Sequence, residues 1–548
     1  MSTDTRSNQP DIDAVVVGAG FSGLRMLVEL RKLGLQARCF EAGSDVGGTW
    51  YWNRYPGART DSEAWFYCYD FDEELMQEWD WQERFPTQKQ SLAYLRHVAD
   101  KFDLRKEITF NTRVTSAAWS DDDNLWTLTT ETGETVTARH FCAASGLLSV
   151  AVEPPFPGVQ DFEGEWYMSS RWPHTPVELS GKRVAVVGTG ATAVQIIPTI
   201  ADEVEQLTVF QRTANYVIPA RNYVATEEKR QSIKRDYSTV WEETYAHPFG
   251  MWFPPANRVF DDVPDRDERQ RIFDSGWEAG GFRFLFETFD DMLVNQQCND
   301  EASDFIRNKI RSIVKDPTTA ELLCPQDHPI GGKRPPAGHF YYEAFNRANV
   351  SLVSVRDNPI TEIVPKGIKL ADGTVHEVDV IIYAMGFDAI TGSLTNIDVT
   401  GRGGTSIKEA WDANAPAQHL ALCGANFPNM YTIAGPQGAF GNFHAFMNKQ
   451  IEWIGAVLEY AREHGHERVE VTDEAAEAWV EQCEAAINAT LLMQGAKAGS
   501  WFLGANIEGK KSRVLFYFGG VNAYVAALAQ SIEEGFPGYV FDKALTPA

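Results

Sequence analysis

The stretch Asp13-Ala-Val-Val-Val17, followed by Gly18-Ala-Gly20-Phe-Ser-Gly23, decides the fold. Ala14 to Val17 form an unbroken apolar run, as expected of a strand buried on both faces in a parallel sheet. Leu24, Met26, Leu27, Leu30 and Leu33 then recur at helical spacing, and a second strand, Gln36–Phe40, ends at Glu41. The order strand, glycine turn, helix, strand, acid describes a dinucleotide-binding unit. Gly18 permits the tight turn and Gly20 lets the backbone approach a pyrophosphate. Gly23 lets the helix sit close to the sheet, with its N-terminus facing the anion. Glu41 stands where a carboxylate takes the ribose hydroxyls.

The pattern recurs downstream. Arg183-Val-Ala-Val-Val187 precedes Gly188-Thr-Gly190-Ala-Thr-Ala193, then Val194, Ile196, Ile197 and Ile200 at helical spacing, then a strand at Leu207–Phe210. That strand runs on into Arg212 instead of an acid. An arginine there suits a 2′-phosphate, so the second nucleotide reads as NADPH over NADH. The alternative is a surface arginine with no ligand.

Between the two turns lie strand patterns at Val114–Trp119, Trp126–Thr130 and Thr135–Arg139, a small antiparallel insert. A further strand, Phe141–Gly146, closes the first unit. Thr226–Ala246, Asp267–Trp277 and Ser303–Lys315 carry helical spacing. Strands resume at Val350–Val353, Ile368–Leu370 and Asp379–Tyr383. Met430–Ile433 reads as a short strand, followed by helices at Phe443–Glu463, Asp473–Leu492 and Val521–Glu534. The expected class is α/β, with two Rossmann-like dinucleotide-binding domains and a helical insert. The first domain is discontinuous: 1–150 and 386–548 around a second domain of 151–224 and 331–385, itself interrupted by the insert, 225–330.

The whole chain has 548 residues and a formal net charge of −27. That balance argues against nucleic-acid binding, which needs a basic footprint, and against an anionic membrane surface. Seven cysteines show neither zinc nor CxxC spacing, and no metal site is expected. No apolar run reaches the length of a membrane span, and Met1 to Asp13 is polar without the apolar core of a signal peptide. A soluble cytoplasmic protein is expected, its oligomeric state open and a monomer plausible.

Two dinucleotide folds in one chain suggest hydride transfer from a nicotinamide to a flavin. The flavin fits the N-terminal site, where Glu41 tolerates no 2′-phosphate. A disulfide reductase would need a redox cysteine pair, and no CxxC-type pair is present; the reduced flavin could instead meet O2.

Gly47-Gly48-Thr49-Trp50 through Tyr55-Pro-Gly57 to Asp61 matches the (A/G)GxWxxxx(F/Y)P(G/M)xxxD pattern of type I Baeyer–Villiger monooxygenases. Phe162-Glu-Gly164 through Met168 to Trp172-Pro173 resembles their FxGxxxHxxxW(P/D) pattern, except that Met168 replaces the histidine. Gly281-Phe-Arg-Phe284 and Ser500–Asn506 also resemble cyclohexanone and steroid monooxygenases, and the likeness spans nearly the whole chain. In this family the Phe162–Pro173 segment is a linker between the nucleotide domains.

The resemblance implies that NADPH reduces FAD and that oxygen adds to the flavin at C4a. The resulting peroxide attacks a ketone, cyclic or bulky, giving an ester or lactone. It implies Arg334 as the cation at the reacting oxygens and Asp61 as the carboxylate orienting it, both catalytic. Gly48, Thr49 and Trp50 join the flavin site. Lys333 and Arg212, with Thr213, take the 2′-phosphate, and Trp501 caps the nicotinamide nucleotide. Phe440, in the Gly435–Asn442 loop, is a candidate wall of the substrate pocket. Rival readings are a sibling monooxygenase acting on nitrogen or sulfur and an uncoupled NADPH oxidase.

Overall fold

A computed structural model of the chain describes residues 9–507, 509–511 and 513–543. Most of the polar N-terminal stretch, residues 1–8, lies outside them.

Two sheets carry the two glycine turns. The first runs in the order Asp398–Thr400, Val114–Ser120, Leu125–Thr130, Thr135–Ala143, Ile12–Val17, Ala37–Phe40, Ile108–Thr109. Met430–Thr432 pairs with the far half of Thr135–Ala143. The second is wholly parallel, in the order Val350–Ser354, Gln206–Gln211, Arg183–Val187, Val380–Tyr383, Glu165–Met168.

The apolar runs are explained by burial on both faces. Ala14 and Val16 join a core with Leu24, Leu27 and Leu30 of the helix Phe21–Lys32, whereas Val15 and Val17 face a separate core with Trp126, Leu128 and Phe141. Each fully buried Leu or Val on these faces contributes roughly 1.5–3 kcal/mol. In the second sheet Val184 and Val186 point one way, Ala185 and Val187 the other.

The two turns are built alike. Gly18 N–H donates to Phe40 O and Gly188 N–H to Phe210 O, at 2.9 and 3.0 Å. Both glycines have positive φ, +104° and +115°. A Cβ on Gly18 would come within 2.5 Å of Ala144 O, and one on Gly188 within 2.5 Å of Ala384 O. A Cβ on Gly23 would meet Gly18 O at 1.8 Å, so the first helix lies close to its own turn.

Four elements depart from the sequence reading. Thr135–Arg139 and Phe141–Gly146 are one strand, Thr135–Ala143. Its first half pairs antiparallel with Leu125–Thr130 and its second half parallel with Met430–Thr432, so its hydrophobic pattern changes midway and reads as two strands. Thr226–Ala246 breaks at Asp236 (φ −110°, ψ 17°) into Glu227–Arg235 and Tyr237–Ala246. The helix from Asp473 stops at Asn488, and Leu491–Ala498 continues as 3-10 turns. Glu165–Met168, expected as linker, is the edge strand of the second sheet, with Met168 opposite Tyr383. Met168 is 6 % exposed and packs in a core with Val187, Ile381 and Tyr383.

All seven cysteines are free and buried. No helix among the described residues is long and apolar enough to cross a membrane.

Candidate active site

A cavity of about 970 Å³ opens at the carboxyl ends of the first sheet's strands and runs to the helical segment. Gly18 and Gly20 of the first turn, Glu41, and the Gly48–Trp50 stretch line one end. Asp61 and Arg334 line its middle, and Phe440 and Trp501 lie on the wall with Phe249, Phe282 and Phe286. Gly23, Gly188, Gly190, Ala193, Arg212, Thr213 and Lys333 stand off this wall; from the second turn it is Ala191 and Thr192 that reach it.

The first turn suits an adenine dinucleotide. Gly20 and Gly48 face each other so closely that a Cβ on Gly48 would lie 2.8 Å from Gly20 Cα. Glu41 is buried, and burial pushes its carboxyl up. Its Oε2 accepts the Ala19 N–H and its Oε1 the Gly43 N–H, each at 2.7 Å. A carboxylate has about four acceptor positions, so capacity remains for ribose hydroxyls at the cavity. Thr49 opens the short helix Thr49–Trp52, and Trp50 Nε1 donates to Tyr67 Oη at 3.2 Å, fixing the indole against the cavity.

The second turn also leaves room for a ligand. Gly190 has an ordinary φ of −77°, and a Cβ there would meet nothing within 4 Å. Neither backbone conformation nor protein packing requires glycine at that position; an approaching phosphate would. Arg212 and Lys333 stand close together, neither in an ion pair among the described residues. Lys333 Nζ donates to Ala498 O at 3.1 Å. Burial, with Arg212 beside it, holds Lys333 down at about 8. Thr213 accepts the Thr189 hydroxyl at its carbonyl, 3.0 Å away. Arg356 adds a third cation to this corner, paired with Asp327 at 2.6 Å. Nothing local in the sequence marks it.

Arg334 follows the Gly331-Gly332 turn. That turn is clasped by the Leu491–Ala498 segment, since a Cβ on Gly495 would overlap Gly332 O at 1.7 Å. Arg334 Nη2 is 3.0 Å from Asp61 Oδ2, and the guanidinium lies over the Phe282 ring at 5.5 Å from its centroid. The Asp61 side chain is 4 % exposed and that of Arg334 33 %. Burial pushes the Asp61 carboxyl up against the pull of Arg334. Gln195, which the sequence reading passed over, donates from Nε2 to Asp61 Oδ1 at 3.4 Å. It sits two residues beyond Ala193, and neighbourhood to the motif is the only signal that could have found it.

Beyond Arg334 the wall is aromatic. Phe249 and Phe286 lie 4.2 Å apart between ring centroids, and Phe440 packs on Phe502, Phe516 and Phe518 at 5.4, 5.4 and 4.7 Å. Trp501 meets Phe516 edge-on at 5.7 Å. An uncharged, apolar molecule fits such a wall.

Residues 13–226 match the family model described as flavin-binding monooxygenase-like. A Baeyer–Villiger monooxygenase of Pseudooceanicola batsensis is 41 % identical over 542 residues, 98 % of each chain. A phenazine N-monooxygenase of Lysobacter antibioticus is also 41 % identical, over 97 % of this chain and 98 % of its own. The closed crystal structure of a cyclohexanone monooxygenase superposes with a TM-score of 0.94 at 42 % identity, covering 97 % of this chain and 99 % of that one. A monooxygenase complex with FAD and NADP gives 0.93 at 39 %, covering 97 % and 100 %.

Proposed function

The chain belongs to the Baeyer–Villiger monooxygenases, FAD-containing enzymes that use NADPH and oxygen to turn a ketone into an ester or lactone, and from that premise we propose a role for each residue of the site. FAD is held on the Gly18–Gly23 turn, with Glu41 at its ribose and Gly48, Thr49 and Trp50 beside it. The Gly20–Gly48 approach and the spare acceptor capacity of Glu41 support this. NADPH is held on Gly188, Gly190 and Ala193, its 2′-phosphate by Arg212 and Lys333, with Thr213 alongside and Trp501 capping the nucleotide. Two neighbouring cations, neither in an ion pair among the described residues, support that assignment.

When bound, FAD reduced by NADPH supplies the activated oxygen. The chain's own groups do the rest. The Arg334 guanidinium offers a rigid set of donors to negative charge developing on the ketone oxygen. Asp61 orients Arg334. The aromatic wall excludes water and holds the ketone in place. Phe440 belongs to that wall, and a cyclic or bulky ketone is the substrate class it favours. The observation that carries the reading is the Asp61–Arg334 pair facing the same cavity as the first glycine turn.

The five-part layout, 1–150 and 386–548 around 151–224 and 331–385 with the insert 225–330, is supported by Asp398–Thr400 and Met430–Thr432 joining the first sheet and Val350–Ser354 and Val380–Tyr383 the second. A cytoplasmic location agrees with seven unpaired cysteines.

The test is to purify the protein, record its flavin absorbance and follow NADPH consumption with a panel of ketones, identifying products. Ester or lactone equal to the NADPH consumed is expected; hydrogen peroxide alone would overturn the reading. The likeness to a phenazine N-monooxygenase favours a second reading, oxygenation of an aromatic ring nitrogen, so flat nitrogen heterocycles belong in the panel.

A further inference from the structure

Asp61 is held from two sides. One oxygen faces Arg334. The other accepts from Gln195, a residue of the helix Ala191–Ile200 that begins at the second glycine turn. Gln195 is 5 % exposed and its amide has four partners. Tyr55 Oη donates to Oε1 at 2.9 Å and the Arg59 N–H at 3.4 Å; Nε2 donates to Arg59 O at 3.0 Å and to Asp61. An amide so bonded has one orientation, because flipping it would set its NH2 against the Arg59 N–H and its oxygen against the Arg59 carbonyl and the Asp61 carboxylate. The backbone is equally close: a Cβ on Gly57 would come within 2.4 Å of Gln195 O and 2.3 Å of Thr199 Oγ1. The loop Tyr55–Asp61 therefore cannot shift independently of the helix.

We propose that Gln195 is a positioning residue that ties the nicotinamide-nucleotide helix to the Asp61–Arg334 pair, so that the nucleotide on its glycine turn helps to set where the catalytic guanidinium stands. The inference rests on the roles given to Asp61 and Arg334 above. A ligand drawing on the N-terminus of Ala191–Ile200 acts on a rigid body whose second turn grips Asp61, and Asp61 grips Arg334. The titratable and charged groups facing Asp61 are Arg334, Tyr55 and Tyr67. Burial pushes both phenols up, Tyr55 to about 12, so Asp61 is the only one to titrate on the acid side.

The test uses the FAD-loaded enzyme and two mild variants. Gln195→Glu keeps the shape but places a second carboxyl against Asp61, and the pair then holds a proton to higher pH. The acid limb of ester formation should move up by roughly one pH unit. The acid limb of NADP+ affinity, measured by calorimetry without ketone, should move the same way. Tyr55→Phe removes one anchor of the amide; peroxide released per NADPH should rise roughly three- to tenfold while the KM for ketone holds. If both variants leave the pH limbs and the peroxide yield unchanged and alter only the melting temperature, Gln195 is structural and the inference falls. Arg334→Ala and the wild type run alongside: a wild type that makes no ester defeats the Asp61–Arg334 reading instead, and the calorimetric shift still decides the linkage.

Discussion

Arg334 Nη2 and Asp61 Oδ2 are 3.0 Å apart across 273 residues of chain, and the two side chains differ in exposure, 33 % against 4 %. Both line the cavity, and the cation is the more open of the two. Removing the cation should therefore remove chemistry and spare the cofactor sites. In Arg334→Ala, flavin content and NADPH-dependent flavin reduction should stay near wild type. Ester formation should fall by roughly 100- to 1000-fold, the scale of losing one aimed charge stabiliser. Stopped-flow absorbance and product analysis separate the two.

Asp61→Asn should split stability from activity. The carboxyl is raised by burial, so its ionised form opposes folding at neutral pH, and that opposition is relieved as pH falls through the raised value. Asparagine removes the buried charge and leaves a half-exposed arginine that water can reach. The melting temperature at neutral pH should not drop, while ester per NADPH should. A melting temperature lowered by several degrees would show that the ion pair is chiefly structural.

Gly18 and Gly190 occupy matching turns but should respond oppositely to a methyl group. Gly18→Ala faces a φ of +104° and a carbonyl at 2.5 Å, so flavin content and soluble yield should collapse. Gly190→Ala faces open space at an ordinary φ, so it should fold and melt as wild type yet show a raised KM for NADPH. Thermal melts beside NADPH titrations read both.

Lys333 titrates at about 8, below its ordinary 10.5. The ammonium is lost from the free enzyme as pH rises through that value. With NADPH, kcat/KM should bend downward above about pH 8, because this ratio reports free-enzyme groups. With NADH, which has no 2′-phosphate, the bend should vanish. Native stability should rise between the two values, since the unfolded chain there binds the extra proton. Lys333→Met should abolish the bend and weaken NADPH use by roughly tenfold or more, the scale of a charge-assisted hydrogen bond.

Met168 stands where the family pattern has histidine, inside an apolar core. Met168→His would bury an imidazole among Val187, Ile381 and Tyr383. A cost of roughly 1–3 kcal/mol is expected, with no gain in coupling. Denaturant midpoints and peroxide yield measure each part; better coupling in the variant would give this position a catalytic influence.

The residues legible in the sequence are those whose job is local. Gly18, Gly20 and Gly23 act within one turn, and Glu41 closes the same unit. Asp61 and Arg334 were legible only through a family resemblance, because nothing local marks a pair so far apart. Gln195 and Arg356 carry no such mark, and Tyr55 and Phe282 stand in quoted motifs without a role attached to them. Each acts across a tertiary contact, as Gln195 does on Asp61 at a separation of 134 residues. The strand Thr135–Ala143 was misread because its two halves belong to different pairing environments, and periodicity describes one environment at a time. Glu165–Met168 was misread because an edge strand has only one neighbour to impose a pattern.

The seven buried thiols bear on how long the catalyst survives its own by-product. Uncoupled turnover of such an enzyme releases hydrogen peroxide, which attacks thiolates and not thiols. Burial pushes every one of these cysteines up, so the thiolate population is negligible at working pH. Oxidative wear should instead begin at the thioether of Met493, which is 42 % exposed, and only later at sulfur in the core.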